Sequence, residues 1–390
     1  MSSDHFGALF SFIRDSYGEG SVPLHIPQLG ALEKTSLADC IDSGFVSSVG
    51  PMVTEFENQL SEITGRRYVV ATVNGTAALH LGLHASGVDQ ESEVILSPMT
   101  FIATANAIRY CGATPVFVDV EPTNLGICPQ ALKRWLEGHT VLRRGVRVNV
   151  GSGRQVRGCL CMHTFGHPSK TKELLEVCQN FGLELFEDSA EALGSLYHGQ
   201  HVGGDGRWAA LSFNGNKILT TGGGGALLTD DEGLAQTARH LATTAKEIHP
   251  WESAHDQIGF NYRMPSINAA LGCAQLQRFE SILSAKRELA SHYRRVLQET
   301  PLTWIDEPEF AQSNFWLNAV LCDSYVQREA LLNEAATQGV QMRPVWKLLS
   351  DNTPYKHAEN DGLELARDLS QKLVNLPSTP PAIFMNAESG

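Results

Sequence analysis

The stretch RYVVATVNGTAALHLGLHASG (residues 67–87) changes its hydrophobic period halfway along. RYVVATV (67–73) is short, apolar and rich in β-branched residues, the pattern of a buried strand. GTAALHLGLHASG (75–87) reads as a helix that ends at a glycine. The two are joined by Asn-Gly-Thr. A helix start leaves backbone N–H groups unpaired and carries partial positive charge, so this junction is a ready phosphate site, to which Thr76 can add a hydroxyl. The plain alternative is that Asn74 only caps the helix.

The same alternation runs on along the chain. EVILSP (93–98), TPVFVDV (114–120), CLCMHTF (159–165), LELFEDS (183–189), RWAALSF (207–213) and GGALLTD (224–230) read as strands. FIATANAIRYCG (101–112), KTKELLEVCQNFG (170–182) and DEGLAQTARHLATTA (231–245) read as helices between them. Strands that alternate with helices predict an α/β protein with a mostly parallel central sheet covered by helices. RRGVRVNVGSGRQVRG (143–158) is basic and glycine-rich and predicts an exposed loop or hairpin. A long helix is predicted over 266–300, after which the texture changes. FWLNAVL (315–321), a helix at 325–338, VQMRPVW (340–346) and a helix at 359–373 predict a smaller α+β domain. The expected organisation is therefore an N-terminal helix and arm (1–30), a large α/β domain (31–265), a connecting helix (266–300) and a small C-terminal domain (301–390).

Composition narrows the function. The 390 residues are 42% hydrophobic and 19% charged, with a formal net charge of −13, which argues against a general nucleic-acid or anionic-membrane surface. An anionic substrate would need locally placed cations. The eight cysteines have no zinc-ligand spacing. They are expected to be reduced and mostly buried, and no metal site is expected. Phe6, Leu9, Phe10, Ile13 and Tyr17 lie at helical spacing among charges, so the start of the chain reads as an amphipathic helix, not an export signal. No apolar run approaches the roughly 18–20 residues that span a bilayer. A soluble, cytoplasmic protein is expected.

Three further features carry chemistry. FEDSAE (186–191) puts acids at the C-terminal end of a buried strand, the edge where open α/β sheets bind ligands. A carboxylate there can hold a ring nitrogen protonated; it can equally cap a helix. SFNGNKILTTGGGG (212–225) sets Lys217 just beyond another strand end. A lysine at that edge can form a Schiff base, and neighbouring glycines let backbone approach a ligand closely. The run is not a nucleotide P-loop, because Asn216 precedes Lys217 where a glycine is required, and no G-x-G-x-x-G follows a strand. GFNYRM (259–264) adds a polar, basic segment between helical stretches.

Together these parts are what a site for pyridoxal phosphate requires. The chain resembles the DegT/StrS family of nucleotide-sugar aminotransferases, within the fold-type I enzymes that use this cofactor. The likeness rests on VSSVGPMVTEFE (46–57), NGTAALH (74–80), SPMTFIATANAI (97–108), FEDSAEALGS (186–195), SFNGNKILTTGGGG, GFNYRMPSINAALG (259–272) and MRPVW (342–346). The resemblance implies that Lys217 carries the cofactor as a Schiff base and later moves the proton. It implies that Asp188 pairs with the pyridine N–H, that Phe101 stacks on the ring, and that Glu191 lies near the phenolic oxygen. Gly75, Thr76 and Ala77, with the Ser212 hydroxyl, should hold the phosphate. Asn261 should reach that phosphate from a neighbouring subunit, which implies a homodimer with shared sites. Arg263, Arg343, Trp346 and Lys347 are candidates for substrate contact, since a diphosphate needs local cations.

SFNGNKILTTGGGG (212–225), DSGFVSSVG (42–50), FGHP (165–168) and the N-terminal helix most resemble the aminotransferases of legionaminic acid pathways. That subgroup implies glutamate as amino donor, with the cofactor cycling through pyridoxamine phosphate. The acceptor would be a UDP-linked 4-keto-6-deoxy-N-acetylhexosamine aminated at C4. The alternatives are the same chemistry on a GDP-linked, perosamine-type sugar or on a 3-keto sugar, and a non-catalytic regulator on the same fold. NLPSTPPAIFMNAESG (375–390) stops short of the further helix usual in the family.

Overall fold

Val94 and Leu96 pack into one apolar cluster while Ile95, between them, packs into another, so both faces of the sheet are buried. In chain order the strands of the computed structural model are β1 (Tyr68–Thr72), β2 (Ser92–Leu96), β3 (Thr114–Phe117), β4 (Thr140–Arg143), β5 (Val146–Asn149), β6 (Gln155–Met162), β7 (Glu184–Asp188), β8 (Leu196–Tyr197), β9 (Gln200–His201), β10 (Ala209–Ser212) and β11 (Gly225–Thr229). The structure describes residues 6–385; residues 1–5 and the last five of the C-terminal segment quoted above lie outside the described residues.

The main sheet has the order β1-β11-β10-β7-β6-β2-β3. Only β11 is reversed on this path, antiparallel to both β1 and β10. The remaining pairs are parallel, and each brings its C-terminal end to the same edge. The basic segment 143–158 contributes the hairpin β4–β5, with β5 leaning on the start of β6.

The first helices are α1 (Gly7–Tyr17), α2 (Ala31–Asp42) and α3 (Pro51–Thr64). The helices α4 (Gly75–Ala85), α5 (Ile102–Tyr110), α6 (Pro129–His139), α7 (Thr171–Phe181) and α8 (Glu232–Ala242) alternate with the strands. Residues of α3, α4, α5 and α8 share the larger apolar cluster; α6 and α7 cover the opposite face, where Cys159 and Cys161 point the same way. All eight cysteines are free, six of them buried, with Cys111 and Cys128 half-buried.

The helix predicted over 266–300 is two helices, α9 (Ser266–Leu276) and α10 (Phe279–Val296). The break falls at Arg278 (φ −105°, ψ 6°), whose guanidinium reaches the buried Glu33 at 3.1 Å. The local sequence pattern is continuous across the break, and the charge partner of Arg278 lies on α2. Beyond it lies an antiparallel sheet of β12 (Thr303–Trp304), β14 (Asn318–Leu321), β16 (Leu373–Leu376) and β15 (Arg343–Pro344), while β13 (Ala311–Gln312) pairs with β8. Helices α11 (Tyr325–Thr337), α12 (Glu364–Ser370) and α13 (Ala382–Met385) complete this part, so the helix expected at 359–373 is confined to 364–370. Leu9, Phe10 and Ile13 of α1 join Leu289 and Tyr293 of α10 and Val320 and Val374 of the small sheet in one cluster. The N-terminal helix is thus packed into the small C-terminal part of the molecule. No helix among the described residues is long and apolar enough to cross a membrane.

Candidate active site

Four strand ends converge on one cavity of about 290 Å³ at the C-terminal edge of the parallel strands. β1 delivers Asn74, Gly75 and Thr76; β7 delivers Asp188 and Glu191; β10 delivers Ser212 and then Lys217; the segment after β2 delivers Phe101. Asn74 does cap α4, its Oδ1 accepting from the Ala77 N–H at 2.8 Å. The cap and the ligand-facing helix start therefore coexist. The Ala77 N–H, expected to reach the phosphate, is instead engaged by this cap, and Ala77 does not line the cavity. Of the four residues expected to hold a phosphate, Gly75, Thr76 and Ser212 line the cavity.

The glycines here have specific causes. A Cβ on Gly75 would meet Ser212 Cβ at 2.8 Å and Oγ at 3.1 Å, so only glycine lets the serine lie against the helix start. A Cβ on Gly225 would fall 2.5 Å from the Asn74 carbonyl carbon. Of the four-glycine run, Gly222 alone has a left-handed φ (78°). The run is loose because β11 must pass close to the α4 junction.

Lys217 is buried, and its Nζ donates to Glu191 Oε1 at 3.3 Å. It also sits 4.1 Å from the centroid of the Trp316 ring, a cation–π contact. The Trp316 Nε1–H donates to the Asn216 carbonyl at 2.7 Å, which fixes the indole beside the lysine. Glu191 Oε2 accepts from the Phe165 N–H at 2.9 Å. Burial lifts the Glu191 carboxyl to about 7, with the positive Lys217 and the Phe165 N–H pulling the other way.

Asp188 is buried at the end of β7. Its Oδ2 accepts from the Thr104 hydroxyl at 2.7 Å, and its Oδ1 from the Ala190 N–H at 3.1 Å. Thr104 is in turn paired with Thr100 at 2.9 Å. Burial still raises the Asp188 carboxyl above its usual range, against the opposing pull of these bonds and of Lys217. A cationic ring N–H is the kind of partner that would offset this. A buried acid, a lysine nearby, a glycine-permitted anion cradle and a half-exposed Phe101 ring at the cavity wall fit pyridoxal phosphate.

The remaining expected residues fare differently. Trp346 lines the cavity and packs on Phe165 with ring centroids 5.2 Å apart. Arg343 and Lys347 are exposed and do not line it. Arg263 pairs by its backbone with Thr72 at the end of β1, and Asn261 with Thr243; neither lines its own chain's cavity. Thr104, Met162, Asn214 and Trp316 line it without having been singled out. Thr104 carried a readable signal, lying one turn beyond Phe101 on α5. Trp316 carried none, because it lies 100 residues from Asn216, next to the strand β14 of the smaller sheet.

Known proteins match this arrangement over nearly the whole chain. The GDP-perosamine synthase of Escherichia coli O157:H7 is 33% identical over 359 residues, covering 92% of this chain and 93% of that protein. A putative pyridoxal phosphate-dependent aminotransferase, EpsN of Bacillus subtilis (strain 168), is 32% identical over 359 residues, covering 90% and 89%. Among solved structures, the aminotransferase TlmJ of Streptoalloteichus hindustanus superposes with a TM-score of 0.83 at 27% identity, covering 92% and 94%. The α/β architecture is that of the fold-type I enzymes that depend on pyridoxal phosphate. With residues 27–383 matching the profile of the DegT/DnrJ/EryC1/StrS aminotransferase family, the chain belongs to that family of sugar aminotransferases.

Proposed function

We propose that the protein moves an amino group from glutamate to C4 of a 4-keto-6-deoxy sugar carried on a nucleoside diphosphate. The observation that carries this reading is Lys217 Nζ, held in a buried cavity between Glu191 and Trp316 with Asp188 on the adjoining strand end. Pyridoxal phosphate, when bound, supplies an aldehyde that relays the amino group and a ring that accepts electrons from the broken C–H bond.

The chain's own groups do the rest. Asp188 keeps a proton on the ring nitrogen and so preserves its electron demand. Lys217 is the amine that would hold the cofactor at its aldehyde. As a free amine it would take the proton from the donor carbon and return one to the acceptor carbon. Glu191 and the Trp316 ring hold that amine at the cavity wall, so it stays within reach while free. Gly75, Thr76 and Ser212 receive the phosphate. The full set of lysine, acid and stacking aromatic in one cavity favours catalysis over a regulator on the same fold.

Two nucleotides compete for the sugar carrier. GDP is supported by relatives in three organisms that are named GDP-perosamine synthases, at 32–33% identity. UDP, on a 2-acetamido sugar of the legionaminic type, is supported by the segments DSGFVSSVG, FGHP and SFNGNKILTTGGGG. We favour GDP on the relatives' breadth of coverage. A panel of GDP-, UDP- and dTDP-linked 4-keto sugars with glutamate, followed by 2-oxoglutarate release and product mass, tests this. Turnover on the GDP sugar at tenfold or more above the others is expected. Turnover confined to the UDP sugar restores the other reading, and none with any ketosugar removes both.

A second copy of the chain completes the proposed site. Asn261 is exposed and does not line its own cavity, and beside it the loop 246–258 bares Ile248, Ile258 and Trp251, the last 84% exposed. An apolar loop next to a polar residue with no local task suits a homodimer in which each subunit lends Asn261 to the other.

A further inference from the structure

His80 and His84 stand one helical turn apart on α4, and the end of α5 brings Cys111 beside them. One donor atom from each residue lies within 4.8 Å of the other two. The three residues are buried, exposed and half-buried in turn, so the cluster is anchored in the protein and open on one side. Nothing in the amino-transfer chemistry uses them.

We propose that His80, His84 and Cys111 bind a zinc-like divalent cation, with water as fourth ligand. Two imidazoles and a thiolate are the donor set that borderline-soft metals prefer, and three protein ligands plus water is a common tetrahedral arrangement. Bonds of about 2.0–2.3 Å place tetrahedral donors roughly 3.5 Å apart. On metal binding the donors, now within 4.8 Å of one another, would have to close to that value, and the exposed His84 is the side chain freest to move.

The surroundings already orient the ligands. The His80 Nδ1 pairs with the Tyr262 hydroxyl at 3.1 Å, which leaves Nε2 for a metal. Such a hydrogen bond to the far ring nitrogen is how proteins hold a ligating histidine in place. The Phe260 ring packs edge-on against both imidazoles, with centroids 4.8 Å from His80 and 5.2 Å from His84. Bound metal would thus join α4, the end of α5 and, through Tyr262, the segment that carries Asn261. Loading would stiffen that segment without touching the cavity. Cys111 surrenders its thiol proton to solvent on binding, and no redox partner is needed.

The sequence alone concealed this cluster, since its cysteine lies 27 residues beyond the second histidine and joins it only through the α4–α5 packing. Tag-free holoenzyme, dialysed against a chelator and titrated with Co²⁺, provides the test. One Co²⁺ per chain with tetrahedral visible bands is expected, displaced by Zn²⁺. His84→Ala, which alters only an exposed side chain, and Cys111→Ser should each weaken binding at least tenfold. Tyr262→Phe, which keeps the aromatic ring, should weaken it by roughly 10–100-fold. Binding that survives both His84→Ala and Cys111→Ser unchanged, or no tetrahedral cobalt spectrum at micromolar metal, overturns the proposal.

Discussion

Glu191 illustrates how far one side chain's chemistry follows from its position. It was legible as an acid at a strand end, but its dual engagement by Lys217 and the strained Phe165 turn (φ 58°) was not. Those partners come from segments 26 residues away in each direction. The carboxyl is lifted from 4.5 to about 7 by burial, so the folded apoprotein prefers it protonated. As pH rises past 4.5 the unfolded chain ionises while the folded one resists, and stability falls until about pH 7, then levels off. The lift corresponds to on the order of 3 kcal/mol. Glu191→Gln removes this titration while keeping an acceptor for Phe165. Thermal unfolding of the apoprotein from pH 5 to 8 should therefore show the variant gaining on the wild type up to pH 7. A pH-independent gap would contradict the assignment.

At the scale of elements, the strand–helix alternation was readable because the central strands β1, β2, β7 and β11 are buried, α4 and α8 start at a side-chain cap, and α3 and α7 end at a glycine. Lys217, Asp188 and Gly75 drew attention by the same logic, as residues at or just past strand ends, whereas Phe101 came only from the family resemblance. The break at Arg278 was not readable from the local pattern, and the Glu33 that pairs with Arg278 lies far off in sequence, on α2. Close packing sets the tolerance of these elements. A Cβ on Gly82 of α4 would meet the Trp208 ring at 2.7 Å and Leu227 Cδ1 at 2.9 Å. Alanine has the better helix propensity by about 1 kcal/mol. Even so, Gly82→Ala is expected to destabilise by about 1–3 kcal/mol, because the buried indole is also tied to Ser86 at 2.9 Å and cannot yield. Urea unfolding reads this as a lower midpoint at unchanged slope.

The whole molecule brings together what no local pattern announces. Trp316, fixed next to β14 of the small sheet, reaches across to Asn216 and Lys217 of the large one. Lys286 of α10 is fully buried and donates to the carbonyls of Trp316 and Ser378, both at 2.8 Å, tying the junction together. These contacts join residues 30 to 100 positions apart, beyond the reach of periodicity. Assembly is the next level. If the loop bearing Trp251 packs on a second copy, sedimentation should give a dimer, and Trp251→Glu should yield monomer with at least tenfold lower turnover. A fully active monomer would count against the shared site. The central claim concerns one amine. Borohydride reduction of the yellow holoenzyme, followed by peptide mapping, should leave the cofactor's pyridoxyl mass on Lys217; a label on any other lysine, or none, would contradict the account.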